Sequence, residues 1–283
     1  VPLGWLDHAR WTDDLSQVAA HWSYLRRGLV AQQMDAEGRQ AFSGDETFRL
    51  MMGVAHGYPL EYAWDELAWS ANSSLLMLAA APRMAAAALA LGHDDAEFDA
   101  LGDAAQNALD AHFLQEGGFY APFIFHTAGD DNAAGETALQ PFEDVNLKAL
   151  WAGALAPDDP VALSDLRRLQ AYADRGDGTV QSPPDERYAG LSVYGVQVGE
   201  GAATGMLPGY NLFSLTAIGD PGAEAAFNAL HRYAGPAGQY AEAIGYADLS
   251  ALQAIYDSSG SLGDVAARFR PWEGAINMDA LLS

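Results

Sequence analysis

The fold is decided by the stretch Gln140-Pro-Phe-Glu-Asp-Val-Asn-Leu-Lys-Ala-Leu-Trp-Ala-Gly-Ala-Leu155. A proline-marked entry is followed by two adjacent carboxylates, Glu143 and Asp144, and then by an apolar run. The large apolar residues of this run are three or four positions apart, which places them on one face of a helix. The acids fall in the first turn, where the helix dipole and free backbone N–H groups favour negative charge. The stretch therefore predicts a buried helix over 143–155.

The same layout, acids followed by an almost wholly apolar helix, recurs along the chain. Each apolar helix is followed by an amphipathic one, at a period of roughly 50–70 residues. An apolar helix has to be surrounded, whereas an amphipathic helix faces solvent on one side. The alternation predicts an all-α fold, an (α/α) toroid with an inner and an outer ring of helices and short β-hairpins in its mouth loops. The predicted inner helices cover 62–81, 143–155, 206–218 and 272–282.

The other segments of the chain are predicted to be short strands, a loop and further helices. Residues 117–125 are predicted to be a short strand or hairpin, and a polar loop is predicted from there up to residue 139; residues 191–198 are predicted to be strand-like. The opening helix and the amphipathic helices are predicted at 13–33, 94–115, 160–174 and 221–234.

The number of predicted inner helices falls short of a full ring. A toroid of six hairpins needs about six, so either some escape the count or the ring is incomplete. We expect residues 1–283 to form one toroid domain that is the C-terminal part of a longer polypeptide.

The composition limits the classes of partner. Acidic residues number 38 against 14 basic ones, which gives a formal net charge of −24. Nucleic acids and anionic membranes bind basic patches, so we expect neither as a partner. Cysteine is absent from the sequence, which excludes disulfides and thiolate metal sites. The localisation stays open, since the sequence fits a soluble protein that is either cytoplasmic or secreted.

No cofactor or metal is predicted. The glycine-rich segment Gly199-Glu-Gly-Ala-Ala-Thr-Gly205 resembles a dinucleotide fingerprint only superficially, because no βαβ unit surrounds it. Glu200 would moreover repel a pyrophosphate. The histidines lack paired metal-ligand spacing, and the serines lack the nucleophile elbow of a hydrolase triad.

The candidate site residues are acids near the starts of the inner helices, together with neighbouring aromatic residues. In a toroid these helix starts meet at one mouth. Carboxylates beside aromatic platforms are what glycoside cleavage needs, because one acid protonates the leaving oxygen and one base activates water. The simpler alternative is that the acids start helices and the aromatic residues fill the core. The candidates for binding substrate are Asp45, Glu46, Asp144, Glu200, Glu273, Trp151 and Trp272.

Two short segments resemble motifs of the glucoamylases, which are six-hairpin toroid glycosidases. Phe142-Glu-Asp-Val-Asn146 is similar to their Trp-Glu-Glu-Val-Asn segment, whose first glutamate is the general acid. Tyr240-Ala-Glu-Ala243 is similar to the Ala-Glu-Gln segment that holds their catalytic base, with Ala243 in place of the glutamine. The resemblance implies an inverting glycoside hydrolase with a carbohydrate substrate, in which Glu143 is the acid and Glu242 the base.

Glu143 has to remain protonated near neutral pH in this role. The adjacent Asp144 and the preceding Phe142 favour its protonated form, whereas a helix N-terminus favours the ionised form.

Two other classes of function stay open for this sequence. One is a sugar epimerase on the same fold, which would rely on paired histidines at the mouth. The other is a non-catalytic glycan-binding or scaffold domain.

Overall fold

A computed structural model of the chain describes residues 2–39, 52–54, 67–127, 130–139, 147–173, 192–193, 196–197, 203–204, 207–234, 243–244 and 271–282. The chain divides into two units. The first comprises Val1–Ala55, Trp64–Leu139 and Ala152–Leu155, and the second comprises His56–Ala63, Gln140–Trp151 and Ala156–Ser283. Both are mainly helical in the described residues, as the sequence predicted.

The first unit begins with helices that the sequence places differently. One helix was predicted over 13–33, but Asp13 has a positive φ of 53°, which breaks the chain between two helices. Asp14 lies just before the next helix, and its Oδ1 accepts a 2.8 Å hydrogen bond from the backbone N–H of Ser16, the first residue of that helix. The helices are α1 (Pro2–Thr12), α2 (Ser16–Ala20) and α3 (Trp22–Arg39).

The long apolar helix of this unit lies further along the chain than predicted. Helix α4 covers Ala71–Leu91, whereas the apolar run predicted 62–81. Leu67–Ser70 forms a strand instead, because its residues pair with two neighbouring strands and the Trp69 side chain is fully buried. The helix also continues through Pro82, which removes one backbone hydrogen bond at a cost of about 3 kcal/mol. Burial of the surrounding alanines offsets that cost.

Helix α4 packs against α1 and against α5 (Ala96–Ala108), which continues into a π-helical turn at Leu109–Phe113. The amphipathic helix predicted at 94–115 is thereby confirmed. Within the described residues, the segment Ser74–Leu91 would by length and composition alone suffice to cross a membrane. Core helices share this composition, and 56% of the segment is buried inside the protein.

A four-stranded antiparallel sheet and a separate hairpin complete the first unit. The hairpin consists of β3 (Leu114–Gln115) and β4 (Phe119–Tyr120). The strands of the sheet are β1 (Met52–Val54), β2 (Leu67–Ser70), β5 (Phe123–Thr127) and β6 (Asp130–Ala138). Its order is β1-β2-β5-β6, and it is larger than the predicted hairpins. The polar loop predicted before residue 139 is wrong, because β6 pairs along β5, with Ile124 opposite Thr137.

The second unit follows the predicted order closely. The amphipathic helices α7 (Pro160–Ala173) and α9 (Ala223–Tyr233) are confirmed, as are the apolar helices α8 (Leu207–Ala217) and α10 (Pro271–Leu282). The run 191–198 was predicted to be strand-like, and it contains two short antiparallel strands, β7 (Ser192–Val193) and β8 (Val196–Gln197), which form a hairpin. A further pair joins β9 (Ala203–Thr204) to β10 (Ala243–Ile244).

The helix predicted over 143–155 ends earlier than predicted. In the described residues α6 covers only Lys148–Trp151, and the predicted start at Glu143 lies outside them. The helix ends before residue 155 because Gly153 adopts a left-handed φ of 67°, a conformation that terminates helices. Leu147, Ala149 and Leu150 are buried, so its apolar face belongs to the core as expected.

In the second unit, burial differs between the predicted inner helix α8 and the predicted outer helix α9. Helix α8 is buried along most of its length, and α6, α9 and α10 all pack against it. Helix α9 buries one face through Ala226, Ala229 and Leu230 and exposes the other. Helix α10 departs from the pattern, since Met278 and Leu282 are 55% and 69% exposed. Two of the other predicted inner helices, α6 and α10, therefore pack against α8.

Candidate functional site

Few of the predicted site residues lie in the part of the chain that the structure describes. Trp151 is described with its side chain, in α6. Trp272 and Glu273 lie in the first turn of α10, of which only the backbone is described. The others lie outside the described residues: Asp45, Glu46, Glu143, Asp144, Glu200 and Glu242.

Trp151 is held by an acid from the last helix of the chain. Its indole Nε1 donates a 2.8 Å hydrogen bond to Oδ2 of Asp279 in α10. Both side chains are half-buried. A tryptophan that is partly buried needs an acceptor for its N–H group, and a carboxylate is a stronger acceptor than a neutral oxygen. The indole is thus fixed at one edge while part of it remains accessible.

An aromatic residue of α8 lies beside this pair. The ring of Tyr210 meets that of Trp151 nearly edge to face, with centroids 5.3 Å apart and planes at 72°. This arrangement is favourable because the positive edge of one ring faces the negative face of the other. Lys148, the sole lysine of the chain, places its Nζ 5.8 Å from the Tyr210 ring centroid, within cation–π range.

The approach of α8 to α10 brings Asp279 to Trp151. Gly209 of α8 lies against Asn277 of α10, and a Cβ atom on Gly209 would be 3.0 Å from the Cα atom of Asn277. A side chain at that position would force the helices apart. Asn277 and the neighbouring Asn211 are themselves buried, at 0% and 3% exposed. We call Lys148, Trp151, Tyr210 and Asp279 the Trp151 cluster.

The chemistry of the Trp151 cluster is that of a binding surface for polar, ring-shaped molecules. An indole offers a flat apolar face, and the carboxylate next to it accepts hydrogen bonds. The cluster lacks the ligands for a metal: among the described residues, no group of three or more His, Asp or Glu side chains is placed to hold one.

Sequence reasoning missed Asp279. It is the charged residue of the mainly apolar segment 275–282, and a buried or half-buried acid in such a run needs a hydrogen-bonding partner. That signal was available in the sequence. The identity of its partner was not, because Trp151 lies 128 positions away along the chain.

A separate cavity lies in the first unit, between α1 and α4. It measures about 480 Å³ and contains none of the predicted site residues. At its edge Nη1 of Arg83 lies 3.1 Å from Oδ1 of Asp7, and Nη2 donates a 2.8 Å hydrogen bond to the carbonyl of Ala152. Three alanines of α4 line the cavity, namely Ala86, Ala87 and Ala90.

No protein-family model and no curated protein sequence matches the chain. Solved structures do. A wild-type glycosidase superposes with a TM-score of 0.53 and 18% identity, over 75% of this chain and 51% of the other. Over this aligned part the chain shares the fold of that glycosidase. A variant of a glycosidase in complex with glucose gives the same TM-score at 17% identity, over 75% of this chain and 50% of that one.

The glycosidase-like fold thus extends over most of the chain, which spans about half the length of these glycosidases. A GH63 mannosylglycerate hydrolase from Thermus thermophilus, in complex with glucose, aligns over 80% of this chain and 48% of its own, with a TM-score of 0.47 and 12% identity.

Proposed function

We propose that the protein is a glycoside hydrolase. The observation that carries this is the fold, which it shares with glycosidases over 75% of its length, one of them in complex with glucose. The composition agrees, since a net charge of −24 suits an uncharged substrate better than a polyanion. Carbohydrate is accordingly the substrate class.

The proposed reaction is hydrolysis with inversion at the anomeric carbon. Glu143 gives its proton to the glycosidic oxygen as the bond from that oxygen to the anomeric carbon breaks. Glu242 takes a proton from a water molecule, whose oxygen forms the new bond on the opposite face of the sugar. The products are a free alcohol and a sugar of inverted configuration. This division of labour requires two carboxyl groups about 6.5–9.5 Å apart, which leaves room for the water.

The other predicted residues bind the sugar. Trp151 and Trp272 form walls against its apolar C–H face, and the partly accessible indole of Trp151 suits that purpose. The remaining carboxylates accept hydrogen bonds from sugar hydroxyls, a role that we assign to Asp45, Glu46, Asp144, Glu200 and Glu273.

The test is a hydrolysis assay on the full chain with a panel of α- and β-linked neutral oligosaccharides. We expect release of reducing sugar from at least one linkage, and ¹H NMR of the first product should show the inverted anomer. A product that retains its configuration would overturn the inverting mechanism while leaving the hydrolase class intact.

Binding measured by calorimetry on the same panel separates the alternative functions. Sugar binding without cleavage would replace the hydrolase with a glycan-binding domain. Interconversion of free sugars without bond cleavage would replace it with an epimerase. Absence of both binding and turnover would overturn the carbohydrate assignment.

A further inference from the structure

The carboxylate of Asp279 uses only one of its two oxygens within the described residues. Oδ2 accepts the hydrogen bond from Trp151 Nε1, and Oδ1 receives none from the part of the chain that the structure describes. A carboxylate has about four lone-pair sites and accepts several hydrogen bonds when ionised. The half-buried Asp279 therefore offers a strong acceptor beside a fixed, partly accessible aromatic ring.

We infer that Asp279 is a positioning residue that makes Trp151 a sugar subsite, with Oδ1 accepting a hydrogen bond from a hydroxyl of the sugar on the indole. The inference rests on the proposed glycosidase function. Its ligand class is a neutral pyranose that presents a hydroxyl at the rim of its apolar face. A carboxylate at this point disfavours uronic acids, because two like charges would be brought together.

An indole that is already ordered before the sugar binds lowers the entropy cost of binding. A free tryptophan side chain loses rotamer freedom when it stacks on a ligand, and this loss weakens binding. The hydrogen bond to Asp279 and the edge-to-face contact with Tyr210 restrict the indole before substrate arrives. The close approach of α8 to α10 at Gly209 fixes the backbone that carries Asp279. The subsite is therefore pre-organised from both sides.

The experiment uses the full chain labelled with 5-fluorotryptophan. The sequence has seven tryptophans, so seven ¹⁹F resonances are expected, and the Trp151 signal is identified by its absence in Trp151→Phe. In Asp279→Ala this signal should shift and broaden because the indole loses its acceptor. In Asp279→Asn it should remain near its wild-type position, since an amide oxygen still accepts from Nε1. An unmoved Trp151 signal in Asp279→Ala would overturn the positioning role.

Kinetics on the best neutral oligosaccharide of the panel test the substrate contact. Asp279→Ala should raise KM about 5- to 30-fold with kcat within about threefold, because it removes binding made equally in the ground and transition states. Asp279→Asn keeps the indole in place but loses the acceptor for the hydroxyl, so its KM should rise by about three- to tenfold. Wild-type KM in Asp279→Asn would overturn the contact between Oδ1 and the sugar.

The outcomes distinguish this inference from the function on which it rests. If the wild type neither binds nor cleaves any sugar, the proposed function and the subsite both fail, and the ¹⁹F signals then report on a structural hydrogen bond only. If the wild type cleaves sugars while the Asp279 variants match it in KM, the function stands and the subsite is wrong. Circular dichroism shows whether Asp279→Ala is folded. If it is not folded, the isosteric Asp279→Asn still tests the contact between Oδ1 and the sugar.

Discussion

Gly209 lies directly against the backbone of Asn277. A Cβ atom at Gly209 would be 3.0 Å from the Cα atom of Asn277 and 3.1 Å from its backbone nitrogen. Backbone atoms cannot move aside as the end of a flexible side chain can. This contact sets the spacing between α8 and α10, and with it the position of Asp279 relative to Trp151.

Gly209→Ala should therefore destabilise the protein, although alanine is the better helix former. Overpacking of a buried contact costs about 1–3 kcal/mol, which exceeds the gain of about 1 kcal/mol in helix propensity. Urea unfolding followed by circular dichroism measures the difference. In the 5-fluorotryptophan sample the Trp151 resonance should move as well, because the helix that carries Asp279 is displaced.

Gly28→Ala is the matched control for this substitution. Gly28 lies within α3, it is exposed, and a Cβ atom there would meet nothing within 4 Å. The same chemical change should stabilise by about 0.5–1 kcal/mol, since alanine restricts the unfolded chain more than glycine does. Equal effects of the two substitutions would contradict the close approach at Gly209.

Asp220 gives a pH-dependent prediction. The backbone N–H of Gly222 donates a 2.7 Å hydrogen bond to Oδ1, and this bond lowers the pKa of Asp220 below its usual 3.8. Burial of the carboxyl group raises the pKa and opposes this effect. The Arg167 guanidinium, 2.5 Å from Oδ2, lowers the pKa further. A depressed folded pKa stabilises the protein at pH values above the unfolded pKa, and this contribution is lost as pH falls through the folded pKa. Asp220→Asn should cost about 1–2 kcal/mol at pH 7 and progressively less below about pH 4.

Unfolding titrations between pH 7 and pH 3 measure this dependence. Asp158→Asn is the control, because Asp158 is exposed in the same unit and its side chain makes no hydrogen bond to the residues that the structure describes. A difference between wild type and Asp220→Asn that is constant over this pH range would contradict the assignment.

Arg83 joins α4 to two other segments of the first unit. It contacts Asp7 of α1 and the carbonyl of Ala152, and it is the charged residue of an otherwise apolar helix segment. Arg83→Met keeps the length of the side chain and removes both contacts, so it should cost about 1–2 kcal/mol. Arg10→Met, an exposed residue at the same cavity, should change stability by less than about 0.5 kcal/mol. Similar losses for the two variants in urea unfolding would refute this role.

The periodic helices could be predicted from the sequence because burial alone determines them. Helices α7, α8, α9 and α10 agree with the predicted bounds to within two residues. Their apolar spacing records which face is buried, and that spacing does not depend on the identity of the neighbour.

The errors occurred where a distant segment decides the local structure. Leu67–Ser70 is as apolar as a helix, and it is a strand because Phe123–Thr127 lies beside it. Likewise, Trp151 was predicted as a sugar wall from its type, but its partner Asp279 could not be inferred from local spacing. The roles of Glu143 and Glu242 stay predictions, since both residues lie outside the described part of the chain.

The catalytic pair gives the final prediction. Glu143→Gln and Glu242→Gln should each lower kcat by about 10²–10⁴-fold on an oligosaccharide that the wild type cleaves, because each removes one proton transfer. Glu224→Gln is the control. Glu224 is exposed in the first turn of α9 and should retain wild-type turnover.

A change of leaving group separates the two roles. Fluoride leaves without protonation, so a glycosyl fluoride does not need the general acid but still needs a base to activate water. The fluoride to use has the same anomeric configuration as the oligosaccharide that the wild type cleaves. On it Glu143→Gln should recover most of the wild-type rate, whereas Glu242→Gln should remain slow. If the recovery occurs in Glu242→Gln instead, the acid and the base are exchanged. If both folded variants turn over oligosaccharides at the wild-type rate, neither residue is catalytic and the resemblance to glucoamylases in these two segments is coincidental.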